Sequence, residues 1–143
     1  GQALTARSER VQWFMAQAAT EELDHLDWTR RRIGELGGRT SQLCGAFYAA
    51  SFASGAIAGL LGDRFNLGFL AATEEEVSRH LDRHLGVLPK SDTASAAIIT
   101  QMRTDEDRHA QTAQRAGGLA FSGPAKLLMR AASRVMTALT YRF

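Results

Sequence analysis

Two five-residue stretches, EELDH at 21–25 and DEDRH at 105–109, repeat one arrangement: two adjacent acids, then a histidine three positions after the second acid. On a helix, residues three apart share a face, so Glu22 with His25 and Glu106 with His109 each offer a carboxylate and an imidazole to one point in space. Each pair interrupts an apolar stripe. The first stripe runs Met15, Ala18, Glu22, His25, Thr29, and the second Ile99, Met102, Glu106, His109, Ala113. Ionisable groups turned toward a core cost several kcal/mol unless they are paired or coordinate a metal. A third stripe, Leu67, Leu70, Glu74, Val77, Leu81, Leu85 and Leu88, carries one acid, while Glu75 and Glu76 are expected to point away from it, about 100° and 200° around the helix. Carboxylate oxygens joined with imidazole nitrogens are the donors of a carboxylate-bridged pair of metal ions.

The elements that must position these residues are helices. Apolar residues recur at spacings of three and four from about residue 5 to 36, where Gly37-Gly38 stops the run, which predicts one long first helix. A similar segment from about 93 to 116 follows Pro89 and a Ser91-Asp92 capping signal and ends at Gly117-Gly118. Between them lie an apolar Gly- and Ala-rich stretch at 44–62, a break expected at GDRFN, and a helix from about 67 to 85. A last amphipathic helix is expected from 124 to 141, opened by Pro124. With no β-type alternation, the fold class is all-α, a helical bundle. In the ferritin-like bundle, two helices each supply Glu-x-x-His and two others each supply a lone Glu. This chain supplies five such residues: Glu22, His25, Glu74, Glu106 and His109.

Neighbouring polar residues read less sharply. Metal-bound histidines usually donate their outer N–H to a carboxylate, so Asp105 is expected to support His25 and Glu21 to support His109 from outside. His80 is a further outer-support candidate, although His80, His84 and Glu76 together also read as a solvated or helix-packing edge.

Composition narrows the remaining possibilities. At 143 residues, 45% apolar and 22% charged, the chain suits one domain spanning 1–143. Fifteen of its 17 basic residues are arginines spread along the helices, so nucleic-acid binding is not favoured. Cys44 is the only cysteine, which excludes an internal disulfide and a thiolate-rich metal site. The first residues lack a signal-peptide pattern, and no uninterrupted apolar run reaches about 18 residues, so secretion and a classical membrane span are both disfavoured.

The order and spacing of ALTAR, EELDHLDWTRRRIGELGGR, YAASFASGAIAGLLGDRFNLGF, ATEEEVSRHLDRHLGVLP and QMRTDEDRHAQTAQRAGG cover essentially the whole chain. In these the chain resembles the di-iron 5-demethoxyubiquinone hydroxylases of ubiquinone biosynthesis. The resemblance implies a ferritin-like monooxygenase acting on the ring of 2-polyprenyl-3-methyl-6-methoxy-1,4-benzoquinone or its quinol. It implies two iron ions, O2 as co-substrate and an external reductant derived from NADH. It carries the family's ligand positions onto Glu22, His25, Glu74, Glu106 and His109. The family's remaining ligand, a glutamate on a preceding helix, would fall upstream of Gly1, so that helix is expected to be largely absent from these residues.

A polyprenyl tail needs an apolar route. Residues 46–61 and 65–70 are expected to provide it, with an interfacial segment flanked by Arg39 and Arg64 and, alongside, the helix at 124–141 with Lys126, Arg130 and Arg134. Expected partners are therefore a membrane surface and a polyprenylated quinone, with room for a lipid-binding accessory protein of the pathway and for self-association. The expected location is peripheral, on the cytoplasmic face of a bacterial membrane or the matrix side of the mitochondrial inner membrane. Gly55 and Gly59 add a G-x-x-x-G close-packing signal. Two other classes share part of this pattern. A ferritin- or rubrerythrin-like iron-binding or peroxide-reducing protein would use the same ligands without the apolar patch. A non-catalytic lipid-binding helical module would keep the patch without five convergent ligands.

Overall fold

The computed structural model describes residues 1–140 and 142. Among these the chain forms six helices and no strand: α1 Gln2–Thr5, α2 Glu9–Glu35, α3 Cys44–Leu60, α4 Asp63–Val87, α5 Thr93–Arg115 and α6 Gly123–Thr140. The all-α expectation holds, and the arrangement is that of a ferritin-like bundle. Tyr141, expected in the last helix, lies outside the described residues.

The stops of α2 and α5 follow from their glycine pairs. Gly37 and Gly117 take positive φ of 73° and 93°, the left-handed turn that ends a helix. The next N–H in each case then returns to the helix, Gly38 to the Ile33 carbonyl at 2.8 Å and Gly118 to the Ala113 carbonyl at 3.1 Å. Asp92 caps the start of α5, its carboxylate accepting the Ser95 N–H at 3.0 Å.

Two boundaries differ from the sequence reading. The expected single helix from residue 5 is broken at Ala6, whose backbone is extended, and α2 begins only after the Ser8 cap. The expected GDRFN break shrinks to Gly62, and α4 starts at Asp63. One contact explains both. The Asp63 carboxylate accepts the backbone N–H groups of Arg7 at 2.7 Å and Ser8 at 2.9 Å, so the first turn of α4 clasps the gap between α1 and α2.

The core joins Ala6, Val11, Met15, Leu67, Leu70, Ala71 and Ala113, with Phe14 packed against it. The most extensive pairing is α4 with α5, α2 packs against α5, and α6 lies on α4. Leu67 and Leu70 are thus core residues rather than part of an apolar route to lipid, because α4 turns that face inward. The Gly55 and Gly59 pair seats α1 on α3: a Cβ on Gly59 would lie 1.9 Å from Thr5 Oγ1, a hydroxyl that donates to the Ala56 carbonyl at 2.9 Å. Among the described residues no helix is long and apolar enough to cross a membrane.

Candidate metal centre

Three helices bring the predicted residues together: α2 with Glu21, Glu22 and His25, α4 with Glu74, and α5 with Asp105, Glu106 and His109. Glu22, Glu74, Glu106 and His109 each present one ligand atom, all within 4.8 Å of one another. His25 closes the group, its Nδ1 3.4 Å from Glu106 Oε1 and 3.7 Å from Glu22 Oε1. His109 Nδ1 lies 3.9 Å from Glu106 Oε2.

Four of the five are buried, and Glu106 is among the most enclosed side chains of the molecule. Glu22 differs from expectation: its side chain is 48% exposed. Its stripe is correctly placed, but among the described residues no helix lies over the flank of α2 bearing Glu22, Leu23 and Leu26, so the carboxylate sits at an open edge of the cluster.

The histidines are held from behind in a reciprocal exchange. His25 of α2 meets Asp105 of α5, Nε2 to Oδ2, at 3.1 Å, and His109 of α5 meets Glu21 of α2, Nε2 to Oε2, at 2.9 Å. Because the outer nitrogens engage carboxylates, both Nδ1 atoms face the cluster. The Trp28 ring packs against His25, centroids 5.4 Å apart.

His25 Nδ1, His109 Nδ1 and Glu106 Oε2 are all buried and have no hydrogen-bond partner. Buried polar atoms are rarely left so. Three such atoms converging with further carboxylate oxygens form a donor set of oxygen and imidazole nitrogen that fits divalent metal ions. The charge balance points the same way. Burial, reinforced by Glu106, pushes the Glu74 carboxyl well above the usual range. Burial also pushes Glu106 up, but its contacts to His109, His25 and Glu74 outweigh this and hold it below the ordinary value. Beside Glu106 and Glu22, His25 is raised to about 10, and His109 is raised chiefly by Glu106. Without metal the cluster thus holds protons where a metal would place its positive charge.

His80 is not part of this group. Its Nδ1 accepts from Arg83 at 3.1 Å and its Nε2 meets His84 Nε2 at 2.8 Å, and no hydrogen bond or ion pair joins it to the five residues. Glu76, expected to turn away from the stripe on a solvated or helix-packing edge, takes the second course: it is buried, paired with Arg79 on its own helix and lying 3.6 Å from Arg130 of α6. Two residues at the rim escaped the sequence reading. Gln101 and Arg108 both contact Asp105; their spacings of four before and three after it on α5 were the available signal.

The chain is 58% identical over 141 residues to a protein of Nitrosospira multiformis named 3-demethoxyubiquinol 3-hydroxylase, covering 99% of this chain and 68% of that one. Relatives of the same name from Azotobacter vinelandii and Stutzerimonas stutzeri are 56% and 55% identical, with 99% of this chain and 66% of each relative covered. The chain therefore spans about two thirds of the length of the relatives it matches. No solved structure gives a significant match. The sequence profile described as ubiquinone biosynthesis protein COQ7 matches residues 1–140, and with that coverage the chain belongs to the COQ7 family.

Proposed function

We propose that the protein hydroxylates the ring of a polyprenylated demethoxyubiquinol in ubiquinone biosynthesis; the name of its relatives, 3-demethoxyubiquinol 3-hydroxylase, and the description of its family support this. The observation that carries this reading is the convergence of two Glu-x-x-His pairs and Glu74 on orphaned buried donor atoms. In this reading Glu22, His25, Glu74, Glu106 and His109 hold two iron ions. Bound iron supplies the reductive activation of O2, chemistry beyond carboxylate and imidazole, with electrons drawn from a reductant derived from NADH.

The chain's own residues prepare the site. Loading requires Glu74 to release its proton and each histidine to be free of a proton at Nδ1, while Asp105 and Glu21 retain the Nε2 protons of His25 and His109. Asp105 and Glu21 thereby set both the tautomer and the ring orientation. Ala18 and Ala113, one turn from Glu22 and His109, are both buried and pack the inner side of the cluster, opposite the open edge at Glu22.

The substrate's tail supports a location at a membrane surface, since each methylene withdrawn from water favours lipid by about 0.8 kcal/mol. Tyr48, Phe52, Ile57, Leu60 and Leu61 are exposed on and just after α3, and Leu127, Leu128, Val135, Met136 and Leu139 on α6. Arg64 and Arg134 are exposed cations suited to anionic headgroups. Lys126 and Arg130 are less available than their sequence positions suggest, since they engage Glu75 at 2.7 Å and Glu76 at 3.6 Å. The same apolar faces suit a lipid-binding accessory protein or another copy of the chain. The location we favour is peripheral, on the cytoplasmic face of a bacterial membrane.

The test is single turnover. Iron-loaded protein, reductant, O2 and a demethoxyubiquinol are expected to yield the ring-hydroxylated quinol, with one oxygen atom traced to labelled O2 by mass spectrometry. Oxidation of ferrous iron without a hydroxylated product would favour a ferritin-like iron-handling role instead.

A further inference from the structure

We propose that Arg108 is a positioning residue that locks the two histidine arms of the centre to each other; this rests on the metal-binding reading above. The two repeated stretches align position by position, Glu21 with Asp105, Glu22 with Glu106 and His25 with His109. The repeat breaks at the two positions between, Leu23 against Asp107 and Asp24 against Arg108, and only the second reverses the charge. That break has a geometric meaning. The Nη2 atom of Arg108 contacts Glu21 Oε2 and also lies 2.9 Å from Asp105 Oδ1. One guanidinium nitrogen, with two hydrogens to give, therefore reaches both carboxylates that hold the outer nitrogens of His109 and His25.

The arrangement answers an electrostatic difficulty. The reciprocal exchange between α2 and α5 brings Glu21 and Asp105, two like charges, to the same side of the cluster. A cation between them offsets their repulsion and keeps both turned toward the imidazoles. Because Glu21 belongs to α2 and Asp105 to α5, Arg108 also fastens the two helices at the level of the ligands.

The two arms do not depend on Arg108 equally. Gln101 donates to both oxygens of Asp105, at 3.2 and 3.1 Å. Among the described residues Glu21 has His109 and Arg108 alone as partners, and its side chain is 39% exposed. Loss of Arg108 should therefore loosen the Glu21–His109 arm while Gln101 retains the Asp105–His25 arm.

Titration of the purified protein with Co2+, followed by visible absorption, tests this with no need for turnover. Arg108→Gln is expected to lower Co2+ affinity about tenfold, the lower end of the effect of losing an outer partner of a metal-bound histidine. Its metal-free unfolding midpoint should fall no further than that of Arg103→Gln, a control on the same helix whose arginine engages Asp82 and Asp107. Arg108→Lys, which keeps the charge and several donors, should restore most of the affinity. In double variants, Arg108→Gln should add little to the loss caused by Glu21→Gln but more to that caused by Asp105→Asn. Unchanged Co2+ affinity in Arg108→Gln, or equal added losses in the two double variants, would overturn the positioning role. Failure of the wild-type protein to bind Co2+ would overturn the metal-centre reading itself, and the positioning role with it. Should Arg108→Gln not fold, the Lys variant decides: wild-type affinity supports the role, and a loss equal to that of Glu21→Gln overturns it.

Discussion

His25 and Asp105 face each other across the bundle at 3.1 Å, and the helices that carry them return the contact in the opposite sense through His109 and Glu21 at 2.9 Å. A histidine on each helix is thus oriented by an acid on the other. The positions of the two inward nitrogens depend on how α2 and α5 pack, and not on either helix alone.

Glu74 is a buried carboxyl that forms no ion pair among the described residues, so its removal should relieve the metal-free protein. Glu74→Met is expected to raise the unfolding free energy in chelator by about 1–3 kcal/mol while sharply weakening metal binding. Glu106→Ala should do the reverse to stability, because it strips His25 and His109 of their shared partner. Urea melts of the metal-free variants check both, and equal losses in the two would show that Glu74 is a structural residue.

The metal-free protein should lose stability as pH rises from about 6.5 to about 10. His25 is raised from 6.5 to about 10 by Glu106 and Glu22, so the folded state binds that proton more tightly than the unfolded chain. Its contribution is complete below the unfolded value and fades as pH climbs through the folded one. Denaturant titrations across this range should show the decline, and His25→Gln should flatten it. Metal binding, which displaces protons from the same groups, should tighten over the same interval.

Asp63, at the start of α4, clasps two backbone N–H groups of the α1–α2 junction. Asp63→Ala is expected to cost about 1–2 kcal/mol, in the range of a lost helix cap, and to raise hydrogen exchange at Arg7 and Ser8. The Arg7 N–H, with further help from Ser8, holds the Asp63 carboxyl below its usual value against the opposing effect of burial. Its contribution is therefore present above the unfolded value near 3.8 and lost as pH falls through the lower folded value. An acid-side transition unchanged in the variant would contradict this account.

Gly59→Ala should detach α1, because the added methyl would collide with both the side chain and the backbone of Thr5. A loss of about 1–3 kcal/mol is expected from such overpacking, with α2 to α5 retaining their helicity. Circular dichroism melts, together with proteolysis at the N-terminus, would detect it.

Phe52→Asp combined with Leu60→Asp should release the protein from anionic liposomes in flotation assays and leave its iron content unchanged, since both side chains are exposed on α3. Continued flotation of the double variant would assign those residues to a protein interface instead.

The parts of this structure legible in sequence are those governed by neighbours along the chain. Gly37-Gly38, Gly117-Gly118 and Asp92 mark helix ends by local backbone chemistry, and the Glu-x-x-His pairs declare their faces by spacing alone. What escaped depends on distant partners. The break before α2 and the early start of α4 share one contact between residues 56 apart, which no local signal announces. For Glu76 the spacing left a solvated and a helix-packing edge both open, and only the distant Arg130 of α6 decides for packing; Glu22 is exposed among the described residues because periodicity tells which face a residue occupies but not whether anything covers that face.

The three consecutive glutamates of α4 make that helix an indexing shaft. A turn of about 100° per residue sends Glu74 to the metal cluster, Glu75 to Gln114 at 2.8 Å and Lys126 at 2.7 Å, and Glu76 to Arg130 at 3.6 Å, so three neighbours are addressed from one short run of chain. Deleting a single residue upstream within α4 would rotate all three at once and present the cluster with Glu75, the carboxylate meant for Gln114 and Lys126, whereas inserting one would present it with Thr73. The length of α4 between its core leucines and Glu74 is therefore held constant by three contacts together, and tolerance for added or lost residues should be confined to the loops at its ends.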